Sequence, residues 1–325
     1  MHLALLSGSD APWSSGSAAR SIVYLVDELV RQGHEATLMS TPEGAHDCDV
    51  VHFHCDDLRV PLPEPADVPA MATLHAPCAI VQSPDTDMPL IPTSCLQPRP
   101  DGLLNWRMPV AQGLPHDLHS LGTASGSHLV FSGPIAPNIG IESAVIAAAR
   151  SGLTLKVVSD VPPRDRSYFM ERFMPLLRCN TRARWVSEVD DHGRDALLGH
   201  AVALIAPYDV HGGSELYVAE ALACGTPVIA WANTAAAHIV RDGVTGYVVQ
   251  SIEEAANAIV RTRELDRRAC RKAFEECFDI RQIARQYLGI YRRMLHVYDA
   301  AAVTVGSCIG NRSGEILTPR SPRGS

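Results

Sequence analysis

The stretch SELYVAEALACGTPVIAW, Ser214 to Trp231, decides how the chain is read. Leu216 to Ala223 carries apolar residues at helical spacing and is ended by Cys224-Gly225, while Pro227 to Trp231 is a short apolar run that reads as a buried strand. Helix, glycine turn and strand form one unit of a repeating βα pattern, and the same rhythm continues outward. Towards the N-terminus the pattern predicts a strand over Val202 to Pro207, a helix over Arg194 to Gly199 and a strand over Ala183 to Val186. A helix near Arg166 to Leu177, a strand Thr154 to Ser159, a helix Gly140 to Ser151 and a strand His128 to Ser132 precede them. Towards the C-terminus, Ile252 to Arg263 and Arg281 to Tyr298 read as helices.

The first half opens the same way. Met1 to Ser7 is strand-like, a loop of small residues follows, and Ala18 to Gln32 is an amphipathic helix. Glu35 to Ser40 and Cys48 to His54 read as strands, giving three βα-type units before residue 75. Prolines crowd the region from Val60 to Pro115, which has room only for short elements such as Ala70 to Leu74. The polar segment Pro115 to Ser127 (PHDLHSLGTASGS) marks a boundary. The expected domains are residues 1–122 and 127–298, with the final helix packing back on the first and residues 303–325 forming a disordered tail. The fold class is α/β, two doubly wound Rossmann-like domains facing a central cleft. Ligands in such sheets bind outside the carboxyl ends of the strands.

Composition narrows the function. The chain has 325 residues, 46% hydrophobic and 20% charged, with 28 Lys and Arg against 36 Asp and Glu. A net charge of -8 speaks against a nucleic-acid partner bound through phosphate neutralisation. Nine cysteines without a Cys-x-x-Cys pair read as reduced thiols. No apolar run approaches the ~18 residues of a membrane span, so a cytoplasmic location without membrane span is expected. No G-x-G-x-x-G follows the first strand, which argues against a nicotinamide or flavin enzyme. His52 and His54 form an H-x-H pair, but no third ligand stands at a metal-site spacing.

Ser214 to Trp231, followed by HIVRDGVTGYVV (His238 to Val249), resembles the donor-site core of family-4 retaining glycosyltransferases, which have the two-domain GT-B fold. Ala19 to Ser40, Asp49 to Asp57, Ala72 to Pro77 and Phe131 to Val158 agree with the family in order. The resemblance implies an enzyme that moves a sugar from a nucleotide-diphosphate donor to an acceptor, small molecule or glycan, with retention of configuration. It implies Glu220 on the ribose hydroxyls, the helix start Gly213-Ser214-Glu215-Leu216 near sugar and phosphate, and Gly133 near the diphosphate. Glu188 and Val189 would lie near the base. In the first domain, Gly16 and Ser17 would form the acceptor or phosphate loop, and His75 would line the cleft as a catalytic residue. The nucleotide sugar, with a UDP-sugar placed first, is a co-substrate, and neither cofactor nor metal is expected.

This sequence departs from the family pattern at the charges. Pro134 and Ile139 replace the Arg and Lys that hold the donor diphosphate, and Gly212 replaces the first acid of the E-x7-E pattern, leaving Glu215 as the substitute. Arg20, Lys156, Arg164, Arg166 and Arg241 are the cations considered as replacements. The rival reading is a catalytically degenerate relative acting as a binding or auxiliary partner. Donor, acceptor and any homo-oligomer stay open.

Overall fold

The computed structural model describes residues 1–7, 17–41, 44–55, 68–75, 88–95, 97, 105–123, 126–137, 139–159, 161, 163–187, 189–207 and 215–310. Strands β1 (His2–Ser7), β2 (Glu35–Met39), β3 (Val50–Cys55), β4 (Ala70–Leu74) and β5 (Leu90–Pro92) form a parallel sheet in the order β2-β1-β3-β4-β5. Side chains alternate across it. Leu3, Leu5, Val50, Met71 and Ile91 face one layer, which includes Ile22, Leu25 and Leu29 of helix α1 (Ser17–Arg31). Ala4, Leu6, Val51, Phe53, Ala72 and Leu74 face the other. This two-sided burial covers every residue of β3, its two histidines included.

The second sheet begins with β6 (His128–Ser132), α2 (Ile141–Ser151) and β7 (Thr154–Val158). Helix α3 (Arg166–Tyr168) runs through a π-helical turn, Phe169–Phe173, into α4 (Met174–Cys179), and β8 (Ala183–Val186) follows. Then come α5 (Asp191–Gly199), β9 (Ala203–Ala206), α6 (Glu215–Ala223), β10 (Val228–Trp231) and α7 (Ala235–Ile239). The domain closes with β11 (Gly246–Val249), α8 (Ile252–Arg261) and α9 (Arg267–Cys277). The strands are all parallel, in the order β11-β10-β9-β6-β7-β8. Strand order reverses between β6 and β9, and the crevice at the carboxyl ends of those two strands is where ligands bind in open α/β sheets.

Local chemistry shapes that crevice. Helix α6 is buried almost all round, with Leu216, Val218 and Leu222 fully covered; each such side chain contributes roughly 1.5–3 kcal/mol. Gly225 ends it with φ +69°, and a Cβ there would lie 2.4 Å from Leu121 Cδ1. Gly140 has φ +77°, and its Cβ would lie 2.6 Å from the Pro207 carbonyl oxygen, so the loop after β6 presses against the residue that follows β9.

Helix α10 (Ile280–Gly310) returns to the first sheet, where Ile280, Ile283, Ala284, Tyr287, Leu288 and Tyr291 join its core. The two crossings between the sheets are tied together: the Leu114 amide donates to the Phe278 carbonyl and the Ile280 amide to that of Leu114, both at 2.9 Å.

Three expectations need correction. Among the described residues the connection from β2 to β3 carries the 3-10 turn Ala45–Asp47 in place of an α-helix, so the second of the three βα units expected before residue 75 is not formed, while the connection after β3 lies in residues 56–67, outside the described ones. Helix α9 went unread because RRACRKAFEEC buries only Cys270, Ala273 and Phe274 among charges. The tail expected from Val303 continues α10 to Gly310, since Ala300, Ala301 and Ala302 favour helix; residues 311–325 lie outside the described ones. Among the described residues no helix is long and apolar enough to cross a membrane.

Candidate functional site

The crevice is built from charged side chains of both halves. Glu220 projects from α6 with no exposed surface, and a carboxylate so buried needs partners. The first turn of α1, in the other half of the molecule, supplies one: Arg20 Nη2 lies 2.5 Å from Glu220 Oε1, and Arg20 Nη1 lies 2.6 Å from Asp191 Oδ1 at the start of α5. Burial opposes the charge on Arg20, yet Glu220 and Asp191 hold its pKa above the ordinary value. The Tyr24 hydroxyl, one turn further along α1, donates to Asp191 Oδ2 at 3.3 Å.

Arg194 supplies the second partner. Its Nη1 lies 3.4 Å from Glu220 Oε2 and 3.2 Å from the Ser132 hydroxyl at the end of β6, and its Nη2 donates to the Val189 carbonyl at 3.4 Å. Its Nε has no hydrogen-bond partner among the described residues. Ser132 immediately precedes Gly133, whose φ of +151° turns the chain into the loop where the family's cations are missing. A guanidinium therefore stands beside that loop, supplied by α5 rather than by the loop itself. Asp190 caps α5 by accepting from the Gly193 amide at 2.8 Å, and this start fixes the helix phase that turns Arg194 inward.

Arg194 was not among the cations considered from sequence. Of those that were, Arg20 enters the crevice, Lys156 sits in β7 beside His128, Arg166 is exposed and Arg241 pairs with Glu276 on the surface. The Arg164 side chain lies outside the described residues.

Glu215 begins α6 and reaches the first half, where Ser94 hydrogen-bonds its carboxylate; burial raises its pKa to about 7. Leu216 is a core residue, so its side chain is not a donor contact and only its backbone amide could serve a ligand. Val189 is partly buried, and its carbonyl holds Arg194. Gly16, Glu188, Gly213 and Ser214, with the side chain of Ser17, lie outside the described residues.

His75 is placed differently from the expectation of a catalytic role. Its Nε2 is 2.9 Å from His54 Nδ1 and its Nδ1 is 2.8 Å from Gln112 Nε2, so both ring nitrogens are taken. Burial lowers its pKa to about 4, which keeps it neutral near pH 7. Neither nitrogen is free to take a proton from an acceptor in this arrangement. The pair His52 and His54 belongs to the same network: His52 contacts the Tyr291 hydroxyl at 2.7 Å and the Thr73 hydroxyl at 2.8 Å, and Thr73 contacts the Tyr287 hydroxyl at 3.0 Å. His54 and His75 line a cavity about one water in size, with Ser21 of α1 and Tyr287 of α10.

Known proteins share the fold. Residues 127–264 match the family model described as Glycosyl transferases group 1. No curated protein matches the chain by sequence. The chain is similar to the crystal structure of AviGT4, a glycosyltransferase involved in avilamycin A biosynthesis, with a TM-score of 0.72 and 22% identity over 91% of this chain and 98% of that one. It is also similar to sucrose-phosphate synthase from Thermosynechococcus elongatus, with a TM-score of 0.70 and 17% identity over 91% of this chain and 100% of that one. HepE of Anabaena, crystallised in complex with UDP, has a TM-score of 0.66 and 15% identity over 90% of this chain and 100% of its own. The chain thus has the GT-B fold of glycosyltransferases, and residues 127–264 match the group 1 family model.

Proposed function

We propose that the chain transfers a sugar from a nucleotide-diphosphate donor, with UDP-sugars tested first, to an acceptor with retention of configuration. The observation that carries this reading is Glu220, a carboxylate without exposed surface held at the β6/β9 switch point inside the group 1 domain. An acid there serves ribose hydroxyls, which donate hydrogen bonds to it. The complex of HepE with UDP makes the same class of donor the first to try.

Arg194 takes over part of the work of the missing loop cations. Its guanidinium lies against Ser132 at the head of the 133–140 loop, where a donor diphosphate would sit, and charge-assisted hydrogen bonds contribute about 1.5–3 kcal/mol each. In a retaining transfer the departing diphosphate gains negative charge and its oxygen helps deprotonate the acceptor on the same face. No protein nucleophile is needed. Arg194 and the α6 N-terminus are the groups that stabilise that charge.

Glu220 cannot serve ribose while Arg20 holds Oε1, so donor binding requires that α1 release it. The same contact favours a second reading, in which Arg20 is a permanent occupant and the chain is a non-catalytic binding or auxiliary partner. Calorimetric titration with UDP, GDP, UDP-glucose and GDP-mannose decides between them. The enzyme reading expects micromolar binding to one nucleotide, lost in Glu220→Ala, followed by turnover once an acceptor is supplied. No binding to any of the four would overturn it.

A further inference from the structure

A second cluster lies where the segment joining the two sheets meets α5 and the end of α6. The segment joining the two sheets seats His119 there with its side chain fully buried. Neither ring nitrogen has a hydrogen-bond partner among the described residues. A buried imidazole left in that state costs free energy that a ligand on its nitrogen recovers. Asp195 of α5 and Cys224, directly after α6, complete the cluster. Asp195 Oδ1 is 3.6 Å from His119 Nδ1 and 3.6 Å from Cys224 Sγ, and the three ligand atoms all lie within 4.8 Å of one another.

We propose that His119, Asp195 and Cys224 bind a zinc ion. Tetrahedral zinc with ligand bonds of about 2.0–2.3 Å places neighbouring ligand atoms about 3.3–3.7 Å apart, which both 3.6 Å separations satisfy. One imidazole, one carboxylate and one thiolate suit zinc and do not suit magnesium or calcium, which take oxygen ligands. Binding releases the Cys224 thiol proton, so thiolate and carboxylate together neutralise the +2 ion. Asp195 is partly exposed, with a side-chain exposure of 26%, which gives the ion an entry path and the fourth position a water.

The surrounding backbone holds the three ligands in place without the ion. Arg271 Nη1 donates to the His119 carbonyl at 2.7 Å and to the Ala223 carbonyl at 3.0 Å. The Ser120 amide donates to Asp195 Oδ1 at 2.9 Å, and the Gly122 amide donates to the Cys224 carbonyl at 2.9 Å. The role is structural. Arg194 directly precedes Asp195, and Glu220 stands one helical turn before Cys224, so the ion fastens the inter-sheet segment to the two elements that carry the crevice pair.

The test uses the full chain, stripped with chelator and titrated with Zn²⁺ against a chromogenic zinc indicator. One equivalent that outcompetes the indicator and raises Tm is expected in the native chain. Binding should weaken at least 100-fold in Cys224→Ala and in His119→Gln, and should persist in Cys277→Ala, an exposed thiol elsewhere. Co²⁺ alone should give a thiolate-to-cobalt charge-transfer band that Cys224→Ala lacks. The proposal fails if the native chain shows no equivalent or no such band, or if the equivalent survives both ligand substitutions. The cobalt spectrum of the native chain decides even if a variant does not fold.

Discussion

Two buried polar clusters flank the start of α1, and they are built from opposite chemistry. On one side His52, His54, His75 and Gln112, with Thr73, Tyr287 and Tyr291, form a neutral network within the first half and α10. On the other side Arg20, Asp191, Arg194 and Glu220 form an ionic network that spans both halves. A neutral network whose members hold one another has little to exchange with a ligand. An ionic network across a cleft is different, since each partner can be traded for a charged or hydroxyl-bearing ligand when the halves part. The contrast assigns packing to the first cluster and donor recognition to the second.

The heaviest blow to this contrast comes from Glu220→Ala. Removing the carboxylate leaves the buried Arg194 guanidinium without its counter-charge, and breaking a buried ion pair on one side costs about 3–5 kcal/mol. Urea unfolding should show a loss of that order, and calorimetry should show no nucleotide binding. Nucleotide affinity that survives the substitution removes the ionic cluster from donor recognition.

Glu215 sharpens the ionic side through pH. Its folded pKa, about 7, lies above the ordinary 4.5, so the folded state holds a proton that the unfolded chain loses. That contribution is fully present below pH 4.5 and is lost as pH rises through 7. His75 acts in the opposite sense: its folded pKa of about 4 gives stability present above 6.5 and lost as pH falls. The useful quantity is therefore the native stability minus that of Glu215→Gln. It should decline by on the order of 2 kcal/mol between pH 4.5 and 7 and then level off. A flat difference would mean that the Glu215 carboxylate is already ionised at low pH.

His75→Ala tests the neutral side. It removes the His75 ring from the Gln112 amide and from His54 Nδ1, at a cost of about 1–3 kcal/mol. Stability should fall while nucleotide affinity stays within twofold. A kcat lost at unchanged stability would return His75 to the chemistry.

Much of this architecture is legible in the residues. Ser214 to Trp231 gives the helix, turn and strand of α6 and β10 almost to the residue, because apolar spacing, Gly225 and a β-branched run agree. Glu220 stands out because it is the one acid within an otherwise apolar helix core. The partners of Glu220 were hidden for a reason of phase. Arg194 reads as a surface cation until Asp190 is recognised as the cap that starts α5 three residues earlier, which swings residue 194 inward. The Arg20 contact depends on how α1 meets α5 and α6, and no local pattern encodes that docking. His75 followed an apolar strand in the place of a cleft residue, but its tie to Gln112 comes from a segment with little periodicity. The zinc cluster was hidden likewise, since Cys224 lies 29 positions after Asp195 and Asp195 lies 76 positions after His119, far from any compact ligand spacing.

The finest test of the contrast is Arg20→Ala. If Arg20 competes with ribose for Glu220, its removal frees Oε1 while Arg194 still balances the buried charge, so the fold tolerates the change. The competing contact is a charge-assisted hydrogen bond on a guanidinium with 29% of its side chain exposed, and solvent screening leaves about 1 kcal/mol of it. Nucleotide should then bind about fivefold more tightly by calorimetry. The salt dependence gives a second handle, because added salt weakens the Arg20 contact in the native chain and should narrow the gap between the two proteins. Weaker binding in Arg20→Ala would reverse the assignment: Arg20 would then be a donor ligand that swings from Glu220 to the diphosphate, and the ionic cluster would be a store of positive charge for the lost loop cations.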